Sequence, residues 1–353
     1  MDLRARLARF PKVALTHGPT PLEPLPRLSR RLDGPDIWVK RDDCTGLATG
    51  GNKARKLEYL LADAVAREAD TIVTSGAPQS NHARQTAAAA AKLGLRCILA
   101  LTDSVAGRAP AYRTSGNLLL DALFGAEIRH YPGTADPVTV MAEVAAECTA
   151  SGRRPYVVPV GGSNAVGALG YVEAAAELLE QVEALRLTVD GIAVASGSGG
   201  THAGLLVGIA AAGRRGGGAC RVAGFGVSAP RDAQVRKVRD VVVPAAQLLG
   251  LDPGIAAAAE AAIDVDDGFV GPGYGQPHPA MEEAVRLVAE TEGLLLDPVY
   301  SGKAMAGLID GVKRGRFRSG ETIVFLHTGG SVGLFAYPDV FAVRGPGDGG
   351  AAS

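Results

Sequence analysis

The chain has few aromatic residues, 5% of 353, and no long apolar run. Nothing approaches the length of about 18 apolar residues that a membrane span needs. The opening MDLRARLARFPKVAL carries three arginines and a proline where an export signal has its apolar stretch, so neither insertion nor secretion is expected. Cysteine is scarce. Cys44, Cys97, Cys148 and Cys220 stand far apart with no CxxC pair, which argues against a zinc ribbon or a dense disulfide framework and for a reducing cytoplasm. An excess of charge of one sign is also lacking. With 36 Lys+Arg against 37 Asp+Glu the net charge is −1, leaving no electrostatic footprint for nucleic acid or an anionic membrane, so a small-molecule partner is expected.

What is present is a hydrophobic fraction of 47%, enough for a substantial core, in a chain long enough for two domains of ordinary size. The 47 glycines and many alanines reflect either compositional drift or turns where backbone approaches a ligand. Only the tail RGPGDGGAAS, residues 344–353, reads as disordered.

Short β-branched runs alternate with Ala/Leu-rich helical patterns. TIVTSG precedes NHARQTAAAAAKLG, RCILAL precedes RTSGNLLLDALFGA, and GIAVAS precedes THAGLLVGIAAAG. Such alternation predicts an α/β doubly wound architecture, parallel sheets with helices on both faces. The pattern restarts near Ser163 and holds more strands than one sheet usually carries, so two domains are expected. In such sheets ligands bind at the carboxyl ends of strands, and the loops there are chemically unusual.

After GIAVAS comes SGSGGT: Ser196, Gly197, Ser198, Gly199, Gly200 and Thr201. Small residues at a helix start let N–H groups approach an anion, so this reads as a phosphate cradle. A nucleotide-triphosphate loop would end in GK[ST]. A dinucleotide fingerprint would have a glycine where His202 stands, with an acid about twenty residues on. A single phosphate monoester fits better. Pyridoxal 5′-phosphate is one, and it needs a lysine for its Schiff base.

The stretch ATGGNKARK brings Lys53, Arg55 and Lys56 to a helix start, where cations are disfavoured. An imine-forming nitrogen explains Lys53; an ordinary solvated lysine is the other possibility. Asn52 is expected to cap the helix. Arg55 and Lys56 gain no function and are expected to reach solvent or nearby acids. In GAPQSNHARQ, Ser80 and Asn81 sit where a strand ends and a helix begins, either as caps or facing a ligand. GPGYGQPHP presents Tyr274 on a rigid loop. LLLDPVYSGKAMAGLIDG reads as an apolar strand ending in Tyr300 and Ser301, and FLHTGG places His327 and Thr328 at a further strand end. Tyrosines in such places are packing residues or functional ones.

Together KRDDCTGLATGGNKARKLEYL, GAPQSNHARQ, PVGGSNAVGALGYVEA, ASGSGGTHAGL, GPGYGQP, LLLDPVYSGKAMAGLIDG and FLHTGG resemble a group of pyridoxal-phosphate enzymes. It includes D-cysteine desulfhydrase, L-cysteate sulfo-lyase and 1-aminocyclopropane-1-carboxylate (ACC) deaminase. The resemblance runs from about Phe10 to Tyr337 and implies the tryptophan-synthase-β-like fold type II, usually a homodimer. Its smaller domain would span residues 54–164. The larger, cofactor-binding one would comprise residues 1–53 plus 165–343, with pyridoxal phosphate in the cleft between. By that resemblance Lys53 would hold the cofactor and later take the Cα proton of an amino-acid substrate. Asn81 would bond the cofactor's 3′-oxygen, and Ser196 to Thr201 would hold its phosphate. Tyr274 and Tyr300 would tune Lys53 or protonate the leaving group, and Ser80 would contact the substrate.

ACC deaminases carry a glutamate at the place of Ser301 and a leucine at that of Thr328. A glutamate beside the pyridine nitrogen favours its protonated form, a strong electron sink; a neutral hydroxyl does not. Ser301 and Thr328 therefore point to elimination of a good sulfur leaving group. The expectation is β-elimination from D-cysteine, giving pyruvate, ammonia and sulfide. L-cysteate stands next, although no extra arginine near the motifs announces a sulfonate site. ACC deamination and β-replacement synthesis are further alternatives.

Overall fold

The computed structural model describes residues 2–213 and 220–341, so the tail at 344–353 lies outside the described residues. Ten strands occur among them: β1 (Leu22–Pro24), β2 (Asp36–Lys40), β3 (Thr71–Gly76), β4 (Arg96–Asp103), β5 (Glu127–Pro132), β6 (Pro155–Val157), β7 (Gly191–Ser196), β8 (Arg221–Gly226), β9 (Asp264–Asp266) and β10 (Thr322–Leu326). Every residue of β7 and the first five of β3 are buried, the continuous apolar run of strands covered on both faces.

The strands form two sheets. One holds β5-β4-β3-β6, all parallel; the other holds β1-β2-β10-β7-β8-β9. Only β1 runs antiparallel, with Leu22 opposite Lys40. The larger sheet draws its middle from both ends of the chain. β10 lies between β2, with Leu326 beside Lys40, and β7, with Phe325 beside Ala193. Helices Ala165–Ala184 and Gly200–Ala212 cover one face through Leu169, Val172, Leu205 and Val207. Helices Pro279–Glu292 and Ser301–Lys313 cover the other through Met281, Val285 and Leu308.

One expectation is corrected. The apolar run Leu294–Leu296 forms no strand. Gly293 ends the preceding helix in the left-handed conformation (φ 68°), and Pro298 lacks an N–H for a ladder, so the segment crosses the sheet end as a loop. Ser331–Ala336, which follows β10, is a single 3₁₀ segment.

The carboxyl ends of β3, β4, β7 and the loop after β10 converge on one cavity of ≈ 390 Å³ between the two sheets.

Candidate active site

Lys53 opens the helix Lys53–Ala66, at the end of a loop that folds back on itself. Gly50 sits at φ 75°, and a Cβ there would overlap the Asp43 carbonyl oxygen, so only glycine fits. The Gly51 N–H donates to the Asp42 carbonyl (3.0 Å) and to Thr45 Oγ1 (2.8 Å). Asn52 makes no side-chain cap, which corrects the capping expectation. It is itself helical (φ −59°, ψ −21°), and its carboxamide is used in the site. Nδ2 donates to Thr201 Oγ1 at 2.9 Å and Oδ1 accepts from Lys53 Nζ at 2.9 Å. The ammonium nitrogen lies 5.8 Å from the centre of the Tyr300 ring. Burial pushes the Lys53 amine down to about 8, against the opposing pull of Asp297 and with help from Arg84.

The Ser196–Thr201 loop enters the helix Gly200–Ala212. Gly199 has φ 89°, and a Cβ there would stand 2.6 Å from the Lys237 carbonyl oxygen. Ser198 Oγ is 2.7 Å from Ser163 Oγ, which accepts from the Gly200 N–H at 3.1 Å. The Ser196 hydroxyl is engaged by His202 Nδ1 (3.1 Å) and Gln234 Nε2 (3.0 Å).

Behind this loop sits Lys56, 1% exposed, with Nζ donating only to the Gly161 carbonyl (3.0 Å) and to Ser163 Oγ (3.3 Å). A Cβ on Gly200 would be 3.0 Å from that nitrogen. Burial, with Lys53 nearby, holds Lys56 well below the usual lysine range. Lys56 thus reaches neither solvent nor an acid. Arg55 does reach acids, but inside the protein: Nε donates to Asp42 Oδ2 and Nη1 to Glu177 Oε2, each at 2.9 Å. A buried lysine without a carboxylate, beneath N–H groups at a helix start, is the environment an anionic phosphate completes, since the anion would favour its charged form. These residues fit pyridoxal phosphate.

On the opposite wall, Ser80 is the N-cap of the helix Asn81–Lys92, its Oγ accepting from the Ala83 N–H at 3.2 Å. Asn81 Oδ1 accepts from Asn117 Nδ2 at 2.9 Å, and His82 Nε2 pairs with Thr74 Oγ1 at 2.8 Å. Both tyrosines reach the cavity, and the hydroxyls of Tyr274 and Tyr300 are hydrogen-bonded to one another. Burial raises both phenols, Tyr300 well above the ordinary value.

Of the sequence-predicted site residues, Gly200 and Ser301 are the ones outside the cavity lining; the others are brought together around it. Ser301 is fully buried. Its hydroxyl donates to Asp297 Oδ1 (2.6 Å) and accepts from the Asp297 N–H (2.7 Å), so both bonds tie it to the loop that precedes its helix. Asp297 Oδ1 also accepts from the Ser301 N–H, and Oδ2 from those of Val299 and Tyr300. Thr328 does line the cavity, and among the described residues no aspartate or glutamate does.

Sequence reasoning passed over Asp297, Lys56, Thr102, Ser104, Ser228 and Lys237. Asp297 had a local signal, an Asp-Pro turn before a helix. Lys237 lies on the helix Arg231–Leu248 beside the Gly-rich loop and had none.

The pattern describing the family "Pyridoxal-phosphate dependent enzyme" matches residues 13–329. The chain belongs to the pyridoxal-phosphate dependent enzymes. It is 49% identical over 331 residues to a D-cysteine desulfhydrase of Klebsiella pneumoniae, covering 94% of this chain and 97% of that one. It is 48% identical over 337 residues to the D-cysteine desulfhydrase of Serratia proteamaculans, covering 96% and 99%. An ACC deaminase homologue of known structure superposes with a TM-score of 0.85 at 39% identity, over 97% of this chain and 98% of that one. Threonine deaminase isoform 2 of Solanum lycopersicum, at 16% identity and TM-score 0.63 over 93% and 83%, shares the fold alone. As a pyridoxal-phosphate dependent enzyme with these neighbours, the chain has the fold type II architecture expected of it, two mostly parallel sheets with the cofactor cleft between.

Proposed function

We propose that this enzyme is a carbon–sulfur lyase that eliminates sulfide from D-cysteine, with consumption of one water and release of pyruvate, ammonia and hydrogen sulfide. The observation that carries the reading is the cavity lined by hydroxyls, amides and lysines but, among the described residues, by no carboxylate. Thr328 would stand near a ring nitrogen held in this cavity, with no acid in the lining among the described residues, which suits departure of a good leaving group better than opening of an unactivated ring.

When bound, pyridoxal phosphate supplies a ring that takes up the electron pair left as the Cα proton departs. Lys53 is the residue that would hold it, with Asn81 at the ring and Ser198, Gly199, Thr201 and Lys56 around the phosphate. Asn52 Oδ1, 2.9 Å from Lys53 Nζ, aims the amine. An amine held near 8 is partly neutral at physiological pH, so Nζ can accept the Cα proton. The Ser80 hydroxyl and the N–H groups opening the Asn81–Lys92 helix form a wall for the substrate carboxylate. A proton held between the Tyr274 and Tyr300 hydroxyls is placed to pass to the departing sulfur.

The same reading divides the chain into residues 1–53 plus 165–343 and residues 54–164, and makes it a cytoplasmic homodimer, which its mass in solution checks. No described helix is long and apolar enough to cross a membrane. Incubation with D-cysteine, L-cysteine, L-cysteate and ACC, assayed for pyruvate, 2-oxobutanoate, sulfide and sulfite, tests the substrate. Sulfide and pyruvate from D-cysteine are expected. Sulfite from L-cysteate alone, or 2-oxobutanoate from ACC alone, would overturn it.

A further inference from the structure

Arg84 is 0% exposed, yet no carboxylate lies within ion-pairing distance among the described residues. A buried guanidinium is ordinarily matched by an acid. This one instead gives Nη1 to the loop ahead of Lys53: to the Ala48 carbonyl, to Thr49 Oγ1 (2.7 Å) and to the Gly50 carbonyl (3.2 Å). Its Nε and Nη2 have no hydrogen-bond partner among the described residues.

The recipient loop is conformationally costly. Ala48 and Thr49 are not glycines, yet both take positive φ, 47° and 69°. Side chains with a Cβ rarely adopt that region, a β-branched one least of all, and they hold it only where the surroundings impose it. Arg84 is the side chain that engages all three residues of this turn. The next residue on its helix, Gln85, accepts from the Ala54 N–H at 2.8 Å and so holds the far side of the same bend.

We propose that Arg84 is a positioning residue for Lys53: it locks the Ala48–Gly50 turn to the helix that Ser80 caps and Asn81 opens, fixing the amine against the opposite wall. The inference rests on the reading that Lys53 carries the cofactor. The guanidinium also adds positive charge near Nζ. Lys53 faces Lys56 on its own helix, His82 and Arg84 on the Asn81–Lys92 helix, and Asp297 and Tyr300 from the loop before Ser301. Arg84 favours the neutral amine, and Asp297 opposes it.

The test uses the full chain, with and without cofactor. In Arg84→Met without cofactor, backbone amide exchange at residues 47–52 is expected to quicken about tenfold while the β3 and β4 amides stay unchanged. The pH midpoint for capture of added pyridoxal phosphate is expected to rise by about half a unit. With cofactor, kcat is expected to fall about tenfold with KM little changed. Arg84→Lys, with one nitrogen and no fork, should fall between wild type and Arg84→Met in exchange rate, and carries the test if the methionine variant does not fold. Exchange at 47–52 equal to wild type in the folded variants would overturn the proposal. Undiminished covalent capture by Lys53→Ala would sink the cofactor reading instead, and the exchange result would still judge Arg84.

Discussion

Tyr274 and Tyr300 meet hydroxyl to hydroxyl at 2.7 Å, with their rings 5.9 Å apart and inclined at 64°. One comes from a Pro/Gly loop and the other from the residue just before a helix, so neither hydroxyl is held by its own segment. Each fixes the other. Removing either hydroxyl should therefore impair proton delivery beyond the loss of one group. Tyr300→Phe and Tyr274→Phe are each expected to lower kcat for D-cysteine about a hundredfold with a smaller change in KM, and the double variant should cost less than the product of the two. Steady-state kinetics on the three variants checks this.

Among the described residues Lys56 has only neutral acceptors, so its amine is placed to take up a proton when the Gly-rich loop binds an anion. Lys56→Met is expected to weaken pyridoxal-phosphate binding about tenfold or more while leaving the cofactor-free fold intact. Equilibrium titration of cofactor-free protein measures it. An unchanged affinity would remove Lys56 from the phosphate site.

Glu177 joins Arg55 (2.9 Å) and Lys40 (2.5 Å) between the Ala165–Ala184 helix, the Lys53–Ala66 helix and β2. Although burial pushes its carboxyl up, the bonds from Arg55 and the charge of Lys40 hold it down to about 2. A depressed folded-state value stabilises above the ordinary glutamate value of about 4.3 and loses that stabilisation as pH falls toward 2. Glu177→Gln should thus lose stability near neutrality and show a flatter acid-unfolding profile between those limits. Breaking the buried partner with Arg55→Met should cost about 3–5 kcal/mol, read by denaturant unfolding.

Asp121 behaves in the opposite sense. It is fully buried, neither carboxyl oxygen has a hydrogen-bond partner among the described residues, and burial pushes it up to about 8 against the pull of Arg84. A raised value gives stability that is complete below about 4 and lost as pH climbs through 8. Asp121→Asn should leave stability at pH 4 nearly unchanged and raise Tm by roughly 5 °C at pH 8. A difference that shrinks with rising pH would contradict the assignment.

The parts of the site legible in the sequence are those whose chemistry is local. The SGSGGT loop, the GGNK turn and Ser80 declare themselves within a few residues, because strand end, small residues and helix start are consecutive. Asn52 shows the limit. Its type and place suggested a cap, but Thr201, 149 residues away, takes its amide. Arg55 and Lys56 were opaque for the same reason, since Glu177 and Gly161 lie 122 and 105 residues on. Leu294–Leu296 misled in the other direction. An apolar run predicts burial, and whether a neighbouring strand exists to pair with it is a property of the sheet.

The placement of β10 also governs how the enzyme can be made. Its five residues, Thr322–Leu326, lie between β2 and β7 in the sheet, and Thr328 just beyond them lines the cavity. During synthesis β2 emerges nearly three hundred residues before β10, its parallel neighbour. The larger sheet thus stays divided, with β1–β2 apart from β7–β8–β9, until residues 322–326 have been made. A chain cut short before residue 322 would lose no mere edge; it would leave two half-sheets with open seams, and a pocket that cannot close around its ligand.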